Sequence, residues 1–247
     1  MQVALIGGTG FVGSYLVDAL LEAGHEPVLL VREGSENKVR QRDHVRLVSG
    51  DISSAEALTA VIDGCDAAIY NVGILREIPS VGVTFETTQY DGVVRTVDAA
   101  VKAGVKRLVL MSANGVKQPG TPYQETKFRA EQYAMQSGLD VTVLRPSVIF
   151  GDPRGKMEFA TQLYNDMVRL PVPAIGFFSG MSIKKGAVVM SPVHIEDVAA
   201  AFVAALENDE TIGQVLSLGG PEELKWQEMI RRIAAAVGKS KVILPMP

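Results

Sequence analysis

Three glycines near the start of the chain limit its fold more than any other feature. Gly7, Gly10 and Gly13 have the spacing G-x-x-G-x-x-G, directly after the apolar run Val3–Ile6 and directly before the amphipathic run Ser14–Ala23. That order is typical of a strand, a tight turn and a helix. A glycine turn there lets backbone N–H groups at a helix N-terminus approach a pyrophosphate, because no Cβ atom stands in the way. The glycine spacing between a predicted strand and a predicted helix therefore predicts a dinucleotide-binding turn, with a purely structural turn as the alternative.

Short apolar runs alternate with amphipathic runs along the first 150 residues. The short runs are continuously apolar, which is typical of strands buried on both faces. This repetition predicts an α/β fold with a doubly wound parallel sheet, the Rossmann fold. The predicted strands are Val3–Ile6, Pro27–Val31, Val45–Val48, Ala67–Asn71, Arg107–Met111 and Val141–Leu144, and the predicted helices are Val12–Ala23, Ala55–Ile62, Thr84–Ala103 and Gln124–Ser137.

The regular alternation of short apolar runs and amphipathic runs ends after Gly151, where Asp152–Gly155 indicates a loop. We expect residues 1–150 to form a dinucleotide-binding domain and residues 151–247 to form a small C-terminal α/β lobe that packs on it and covers the cofactor cleft. The predicted elements of the lobe are helix Lys156–Leu170, a strand near Ala187–Met190, helix Ile195–Glu207, strand Val215–Leu218, helix Lys225–Val237 and a strand near Val242–Leu244.

Composition and charge argue against several classes of protein. The 247 residues carry a formal net charge of −4 with mixed signs along the chain, which argues against a nucleic-acid-binding surface. The single cysteine, Cys65, cannot form an internal disulfide, and the three histidines lack metal-binding spacing. No signal peptide and no apolar run of about 20 residues is visible. We therefore expect a cytoplasmic protein, and peripheral association with a membrane complex stays open.

Residues that follow the predicted strands are candidates for cofactor contacts, since ligands bind such sheets at the carboxyl ends of the strands. Arg32 directly follows the second strand, where an arginine accommodates the 2′-phosphate of NADP and an acidic residue would bind the ribose of NAD. We therefore expect NADP rather than NAD, with a solvated surface arginine as the alternative. After the third strand, Asp51 is expected to contact the adenine and Ile52 to pack on its ring. Asp51, Ser53 and Ser54 are also candidates for a helix N-cap.

Ser112, Tyr123 and Lys127 form the candidate catalytic group. Tyr123 and Lys127 are four residues apart, so that they share one face of a helix. A nearby ammonium lowers a tyrosine pKa, which predicts that Tyr123 acts as a general acid or base near neutral pH. Lys127 is also expected to bond the nicotinamide ribose, and Ser112 to hold a substrate carbonyl or hydroxyl. The alternative is that Tyr123 only begins the helix while Lys127 pairs with Glu131.

In these motifs the chain resembles the short-chain dehydrogenase/reductase superfamily, in its extended or atypical branch. The resemblance covers nearly the whole chain. It rests on Gly7–Gly13, Val31-Arg32, Gly50-Asp51, Ala103–Val105, Leu110–Ser112, Tyr123 with Lys127, Leu144–Gly151, Pro192–Ala199 and Gly219–Glu222. Within the superfamily the chain is most similar to the atypical group that includes the nucleotide-binding accessory subunit of respiratory complex I. That similarity implies an NADP-binding protein that need not turn over a substrate.

The resemblance also implies residue roles. It makes Tyr123 the acid/base and Lys127 its partner, and it places Pro146 and Val148 near the nicotinamide. Gln89 stands where family members often have an asparagine, which implies an altered proton relay. The expected cofactor contacts are Gly7, Thr9, Gly10, Phe11, Val12, Gly13, Arg32, Asp51, Ile52, Asn71, Val72, Gly73, Lys127, Pro146 and Val148.

We therefore expect an NADP-dependent oxidoreductase that acts on a small or lipophilic carbonyl or hydroxyl substrate. The cofactor carries the hydride, and Tyr123 transfers the proton of the substrate oxygen. Phe177, Phe178 and Met181 are candidates for an apolar substrate pocket, with core packing as the alternative. Two further functions stay open. One is a non-catalytic NAD(P)H-binding accessory or assembly protein, and the other is an epimerase or dehydratase that recycles its hydride internally.

Overall fold

The computed structural model describes residues 1–177 and 188–246. The strands in chain order are β1 (Gln2–Ile6), β2 (Glu26–Val31), β3 (Arg46–Ser49), β4 (Ala67–Tyr70), β5 (Arg107–Met111), β6 (Asp140–Pro146), β7 (Ile149–Phe150), β8 (Ala174–Phe177), β9 (Val189–Met190), β10 (Val193–His194), β11 (Val215–Leu218), β12 (Leu224–Lys225) and β13 (Ile243–Met246). The α-helices are α1 (Phe11–Glu22), α2 (Ala55–Ile62), α3 (Asp91–Ala103), α4 (Pro122–Met135), α5 (Phe159–Leu163), α6 (Ile195–Glu207) and α7 (Trp226–Ala236).

Seven strands form one sheet in the order β11-β6-β5-β4-β1-β2-β3. Neighbouring strands from β6 to β3 pair in parallel. The chain runs outward from β1 to β3 and then returns to place β4 on the other side of β1, so that the strand order reverses between β1 and β4. Ligands bind such sheets beside this reversal, at the carboxyl ends of the strands. The predicted doubly wound parallel sheet is confirmed.

The central strands are buried on both faces, as their continuous apolar runs predict. Val3–Ile6 and Ala67–Ile69 have no exposed surface. Apolar side chains of α2, α3 and α4 pack together with one face of this sheet. Burying one Val, Leu or Ile side chain contributes about 1.5–3 kcal/mol, so this packing is the main force that holds the helices on the sheet. No helix among the described residues is long and apolar enough to cross a membrane.

Two predicted helices differ from the observed ones. Within Thr84–Ala103, the residues Glu86–Tyr90 form a π-helical turn before α3 begins. Within Lys156–Leu170, the helix begins only at Phe159, because the carboxylate of Glu158 caps it by accepting hydrogen bonds from two backbone N–H groups. A π-helical turn again follows α5. Apolar periodicity predicts these segments correctly as helical but does not register a local change of pitch.

The chain divides into two compact units. The first unit consists of Met1–Pro146 and Asp197–Ser217, and the second holds the rest of the described residues. Most of α6 and β11 therefore belong with the large sheet, whereas the sequence pattern predicts that all of residues 151–247 belong to the smaller lobe. Arg107 on β5 explains this return of the chain: its buried guanidinium donates to the backbone carbonyl of Ala205 and, at 2.9 Å, to the side chain of Thr211.

The second unit contains three short strand pairings among its described residues. β7 pairs with β10 in parallel, β9 with β12 antiparallel, and β8 with β13 in parallel. Apolar side chains of α5, the following π-helical turn and α7 form its core. The indole N–H of Trp226 donates to the backbone carbonyl of Ile175 at 3.0 Å, which fixes the start of α7 to β8.

Candidate functional site

The glycine turn joins β1 to α1, and its three glycines meet different physical requirements. Gly7 has a φ of +101°, and a Cβ atom there would lie 2.7 Å from the carbonyl oxygen of Asn71. A Cβ atom on Gly13 would lie 2.1 Å from the carbonyl oxygen of Gly7. Gly10 has an ordinary φ of −78°, and its nearest contact would be 3.6 Å away. The fold therefore explains Gly7 and Gly13, while the space beside Gly10 is open.

The N-terminus of α1 is suited to an anion. Gly10 is the N-cap and provides no side-chain cap, and the first turn contains no acidic residue. The first N–H groups of a helix lack intrahelical acceptors and carry the positive end of the helix dipole. Phosphate oxygens would supply those acceptors. Thr9, Phe11 and Val12, all half-buried, surround this helix end. The residues present therefore fit the pyrophosphate of a dinucleotide.

Arg32 directly follows β2 and is exposed, as expected for a residue that contacts the adenosine ribose. Within the described part of the chain its side chain makes no hydrogen bond or ion pair. The nearby Arg40 is engaged with Asp18 of α1 at 3.4 Å. Arg32 is therefore the cation at this strand end whose guanidinium is available to a ligand.

The turn after β3 separates the roles of its polar residues. Asp51 accepts a hydrogen bond from the backbone N–H of Ser53 at 2.9 Å, which closes the turn. Ser54 is the N-cap of α2, and its hydroxyl oxygen accepts from the N–H of Ala57 at 3.1 Å. Ile52 is half-buried beside them. Of the three N-cap candidates, Ser54 caps the helix, and one oxygen of Asp51 is already occupied within the turn.

Residues after β4 lie next to both the glycine turn and Lys127. The side-chain amide of Asn71 donates to the carbonyl of Gly7 at 3.4 Å. Gly73 lies so close to the lysine that a Cβ atom on it would be 3.5 Å from Lys127 Nζ. Val72, half-buried, stands between them. The structure thus brings the predicted pyrophosphate, nicotinamide and catalytic residues to one edge of the first unit.

The start of α4 is set by a capping box. The hydroxyl oxygen of Thr121 accepts from the N–H of Gln124 at 3.3 Å, and the side-chain oxygen of Gln124 accepts from the N–H of Thr121 at 2.9 Å. Pro122 occupies the first helical position, where a missing N–H costs nothing. Gln124 also donates to the carbonyl of Gly115 at 2.8 Å, which fixes the preceding loop. Tyr123 is therefore held in the first turn of α4.

Lys127 lies one helical turn after Tyr123 and is almost completely buried. Its Nζ is 5.9 Å from the centre of the Tyr123 ring and donates to the carbonyl of Met111 at 3.4 Å. The Tyr123 ring packs edge-on against Phe85, with ring centres 5.6 Å apart. Sequence reasoning missed Phe85, and its place before the π-helical turn gave no signal of this contact.

Glu131 does not serve as the partner of Lys127. Its carboxylate accepts two hydrogen bonds from Arg145 on β6, one of them from Nε at 2.8 Å. The alternative in which Lys127 pairs with Glu131 is therefore not the arrangement in the structure. Arg145 is a second residue that sequence reasoning missed, although it lies inside the motif Leu144–Gly151 that carried the resemblance.

Burial determines the direction of both pKa shifts. Removal from water raises the pKa of the Tyr123 phenol to about 12. It lowers the pKa of the Lys127 ammonium to about 8, with the Glu131 carboxylate acting in the opposite direction. The spacing predicts that Lys127 lowers the tyrosine pKa, and that prediction is wrong, because burial raises it. Spacing along a helix shows which residues share a face but not how deeply they are buried.

Ser112 directly follows β5, as expected, but its hydroxyl lies inside the protein. Its side chain is 3% exposed, and its N–H donates to the carbonyl of Leu144 at 2.7 Å. Ser112 lines a small cavity together with Gln89 and Lys127. The hydroxyl is therefore buried and makes no hydrogen bond to the described residues, and the expected contact with a substrate oxygen stays a prediction.

The remaining candidates fall in different parts of the chain. Pro146 ends β6 in the first unit, and its carbonyl accepts from the N–H of Asn114 at 2.9 Å. Val148 belongs to the second unit, where its carbonyl accepts from Val193. Phe177, also in the second unit, packs edge-on against Trp226. Phe178 and Met181 lie outside the described residues.

Comparisons with known proteins show which family the chain matches and which proteins it is similar to. Residues 7–169 match a family model described as NAD(P)H-binding. Ceramide reductase of Caulobacter vibrioides is 28% identical over 248 residues, covering 99% of this chain and 73% of that protein. The photosystem II assembly factor Ycf39 of Synechocystis is 29% identical over 146 residues, covering 59% of this chain and 44% of that protein. The 40 kDa subunit of NADH-ubiquinone oxidoreductase from Neurospora crassa is 24% identical, and this chain spans 62% of it.

Solved structures of related fold cover the whole chain. MoeE5 in complex with UDP-glucuronic acid and NAD matches with a TM-score of 0.80 at 22% identity, covering 100% of this chain and 85% of that one. UDP-glucose 4-epimerase of Thermus thermophilus in complex with NAD matches with a TM-score of 0.77 at 22% identity, covering 100% and 86%. At such identity these two matches show the fold alone. Because the family model spans well over half of the sequence, the chain belongs to the NAD(P)H-binding family of extended short-chain dehydrogenase/reductase-like proteins.

Proposed function

We propose that this protein is an NADP-dependent oxidoreductase acting on a small or lipophilic carbonyl or hydroxyl substrate. The observation that carries the proposal is the position of Gly73. A Cβ atom on Gly73 would lie 3.5 Å from Lys127 Nζ, and Gly73 follows Asn71, whose side chain is hydrogen-bonded to the glycine turn. A dinucleotide whose pyrophosphate lies at the turn would therefore extend toward Tyr123 and Lys127. When bound, the nicotinamide supplies or accepts the hydride.

The binding roles follow from the strand ends. The N-terminus of α1 binds the pyrophosphate, and Arg32 binds the 2′-phosphate by charge-assisted hydrogen bonds. Asp51 and Ile52 contact the adenine. Asn71, Val72, Gly73 and Pro146 lie on the nicotinamide side, and Lys127 bonds the nicotinamide ribose.

Tyr123 is suited to donate a proton. A phenol with a pKa of about 12 keeps its proton at neutral pH. It can therefore protonate the alkoxide that develops when a carbonyl is reduced. We expect the Lys127 ammonium, whose Nζ lies 5.9 Å from the centre of the Tyr123 ring, to stabilise the phenolate once the nucleotide has bound. A phenol that keeps its proton at neutral pH is suited to the reduction of a carbonyl.

A lipophilic substrate is supported by the loop that follows Gly73. Leu75, Ile78 and Val81 are 79%, 52% and 68% exposed. Exposed aliphatic side chains close in sequence to a candidate cofactor contact are consistent with a surface that meets apolar ligands. The relative from Caulobacter, a ceramide reductase, is named for a lipid.

Cofactor choice is tested by titrating the protein with NADPH and with NADH. We expect tighter binding of NADPH, and we expect Arg32→Ala to weaken NADPH by about tenfold or more while NADH changes little, since hydrogen bonds to charged groups contribute about 1.5–3 kcal/mol. Arg42→Ala, an exposed arginine beyond this strand end, is the matched control. Tighter binding of NADH by the wild type would contradict the choice of NADP.

Activity is tested by following the oxidation of NADPH with short ketones, long-chain ketones and steroid ketones. We expect Tyr123→Phe to bind NADPH normally and to lose about 100-fold to 10,000-fold in turnover. Full turnover in this variant would remove Tyr123 from the mechanism.

A second function, a non-catalytic NAD(P)H-binding accessory or assembly protein, is favoured by two observations. Two relatives are named as an assembly factor and as a subunit of a respiratory enzyme. The phenol pKa is raised by burial, with no lowering contribution from Lys127. This function predicts a tightly held cofactor that no carbonyl or quinone oxidises, together with co-purifying partner proteins. An epimerase or dehydratase would instead form product without net change of the cofactor.

A further inference from the structure

The loop of residues 74–85, between β4 and the π-helical turn, is held together by its own hydrogen bonds. Ile78 and Val83 exchange backbone bonds at 2.7 and 3.3 Å. The side-chain amide of Gln89 donates to the carbonyl of Ile74 at 2.9 Å and closes the base of the loop. Three aliphatic side chains of the loop are exposed, so that hydrogen bonds, more than apolar packing, hold its shape.

Phe85 ends this loop, and the surrounding bonds fix its backbone. Its N–H donates to the carboxylate of Glu77 at 2.7 Å. A backbone N–H bonded to a carboxylate forms a charge-assisted hydrogen bond, which is stronger than a bond between neutral groups. Beside Phe85, the N–H of Thr84 donates to the hydroxyl oxygen of Thr87 at 3.0 Å, and the N–H of Thr87 donates to the hydroxyl oxygen of Thr84 at 3.1 Å. The loop thus holds the Cα of Phe85 in one place.

The ring that this backbone carries lies against Tyr123. The two ring centres are 5.6 Å apart and the ring planes are 81° apart, an edge-on arrangement that aromatic pairs prefer. Both side chains are half-buried, so the pair lies where the interior of the first unit meets its surface. An apolar ring in direct contact with a phenol keeps water from that side of it. Phe85 is therefore one of the groups that bury Tyr123.

We propose that Phe85 is a positioning residue for Tyr123: its ring shields the phenol from water and holds it in one orientation, and Glu77 holds Phe85 in place through its backbone. The positioning role rests on the proposed function, because orientation matters only where Tyr123 gives a proton to a substrate. The shielding of the phenol does not depend on turnover. The same loop thus joins the exposed aliphatic surface to the proton donor.

The shielding is tested by the ultraviolet absorbance of the tyrosine phenolate. Each protein is compared with its own Tyr123→Phe counterpart, so that the other tyrosines cancel, at pH values where circular dichroism shows both proteins folded. Because burial raises the pKa of Tyr123 to about 12, we expect almost no Tyr123 phenolate in the wild type at about pH 10.5. Phe85→Ala lets water reach the phenol, and we expect about a quarter or more of Tyr123 to ionise at that pH. An ionised fraction equal to that of the wild type would overturn the proposal.

Two further substitutions serve as controls for the loss of the ring. Phe85→Leu keeps an apolar side chain beside the phenol, and we expect its phenolate signal to match that of the wild type. Phe159→Ala removes a ring that packs edge-on against Trp226 in the second unit, and it should leave the Tyr123 signal unchanged. A larger phenolate signal in Phe159→Ala would mean that the measurement reports general loosening rather than the contact with Phe85.

Glu77→Ala tests the second part of the proposal and also replaces Phe85→Ala where that variant fails to fold. It leaves the ring in the chain and removes only the bond that fixes its backbone. We expect a smaller increase in Tyr123 ionisation than in Phe85→Ala. Glu77→Gln should restore the wild-type signal, because its amide oxygen can accept the same bond. A Glu77→Ala signal equal to that of the wild type would remove Glu77 from the proposal.

The positioning role is tested by steady-state kinetics with whichever ketone the wild type reduces. We expect Phe85→Ala to lower kcat by about threefold to tenfold with KM within about twofold, because the loss of one aromatic pair lets the phenol leave its reactive orientation. A more acidic phenol alone would donate its proton faster, so a loss of kcat reports lost orientation. The double variant with Glu77→Ala should be no worse than Phe85→Ala, since Glu77 acts through Phe85.

A Phe85→Ala variant that raises KM without lowering kcat would indicate a substrate contact and would overturn the positioning role. If the wild type reduces no carbonyl at all, the proposed function fails, while the phenolate absorbance still decides whether Phe85 shields Tyr123.

Discussion

The glycine turn and the surroundings of Lys127 belong to the same unit, but their residues are specified in opposite ways. Gly7 and Gly13 are required by the backbone itself, because a Cβ atom at either would collide with a carbonyl oxygen. Around Lys127, an ammonium, an amide oxygen and a hydroxyl are buried without a full set of protein partners. The fold therefore requires the glycines of the turn, whereas the buried polar groups around Lys127 cost stability. Such a cost is typical of a site retained for function.

Gly10 lies in the turn but, like the buried polar groups around Lys127, is not explained by the requirements of the fold. Neither its φ nor its surroundings require a glycine. A residue that the fold does not explain, in a turn that the fold otherwise explains, points to a molecule outside the chain. Four substitutions test this difference between residues that the fold requires and residues that it does not, from the largest expected effect to the smallest.

Gly13→Ala should be the most damaging change, because the new Cβ would lie 2.1 Å from a backbone oxygen that cannot move without displacing β1. We expect the free energy of unfolding to fall by about 3 kcal/mol or more. Urea unfolding followed by circular dichroism measures it. A stable Gly13→Ala protein would show that the turn is less constrained than its geometry indicates.

Arg145→Ala should cost about 3 kcal/mol in urea unfolding, because it leaves the Glu131 carboxylate, 1% exposed, without its partner. The exposed pair of Arg232 and Glu222 supplies the control, and Arg232→Ala should change stability by less than about 0.5 kcal/mol. A neutral Arg145→Ala would mean that Lys127 can replace the arginine beside Glu131. The polar cost assigned to the Lys127 region would then be overestimated.

Lys127→Met should stabilise the protein. Burial lowers the lysine pKa from 10.5 to about 8, so between those pH values the unfolded chain binds more protons than the folded one. The cost of the buried ammonium is therefore fully present below about pH 8 and disappears as the pH rises toward 10.5. We expect the variant to exceed the wild type by about 2 kcal/mol at pH 7, with the difference shrinking through this window.

Urea unfolding of the two proteins at several pH values measures this difference. Tyr123 titrates in both, so its raised pKa cancels to a first approximation. A variant less stable than the wild type at pH 7 would show that Lys127 contributes to folding and would remove the contrast with the glycine turn.

Gly10→Ala should have the smallest effect on the fold and a selective effect on binding. A Cβ there meets nothing within 3.6 Å in the protein, so the loss of stability should stay below about 1 kcal/mol. The same Cβ would enter the space at the start of α1, and we expect the affinity for NADPH to fall by about tenfold. Calorimetric titration measures the affinity. Unchanged affinity would mean that the nucleotide does not approach the turn at Gly10.

Local pattern was sufficient for most of the fold. The bounds of α2, α6, β5 and β11 match those expected from apolar runs, and the glycine turn lies where its frame predicts. These features depend on neighbours in sequence. The return of Asp197–Ser217 to the large sheet involves contacts between residues far apart in sequence, such as the hydrogen bond from Arg107 to Ala205 and the pairing of β11 with β6, which no local pattern reports.

The positions of the candidate site residues in the fold could be predicted from the sequence, but the burial of their side chains could not. Spacing correctly placed Tyr123 and Lys127 on one face, and it correctly placed Ser112 at a strand end. It did not show that the Ser112 hydroxyl is buried, nor that burial raises the tyrosine pKa. Both outcomes are set by the residues that other segments bring around the site, such as Gln89 and Phe85.

The discontinuous make-up of the first unit has a consequence for biosynthesis. When Pro146 has left the ribosome, β6 is still the outermost strand, with unpaired backbone groups along one side, and Arg107 lacks the acceptors that Ala205 and Thr211 provide. Those residues are translated only after Ser147–Glu196. The nascent chain thus completes its nucleotide-binding sheet late in synthesis, and until then its open edge is the part most in need of protection from aggregation.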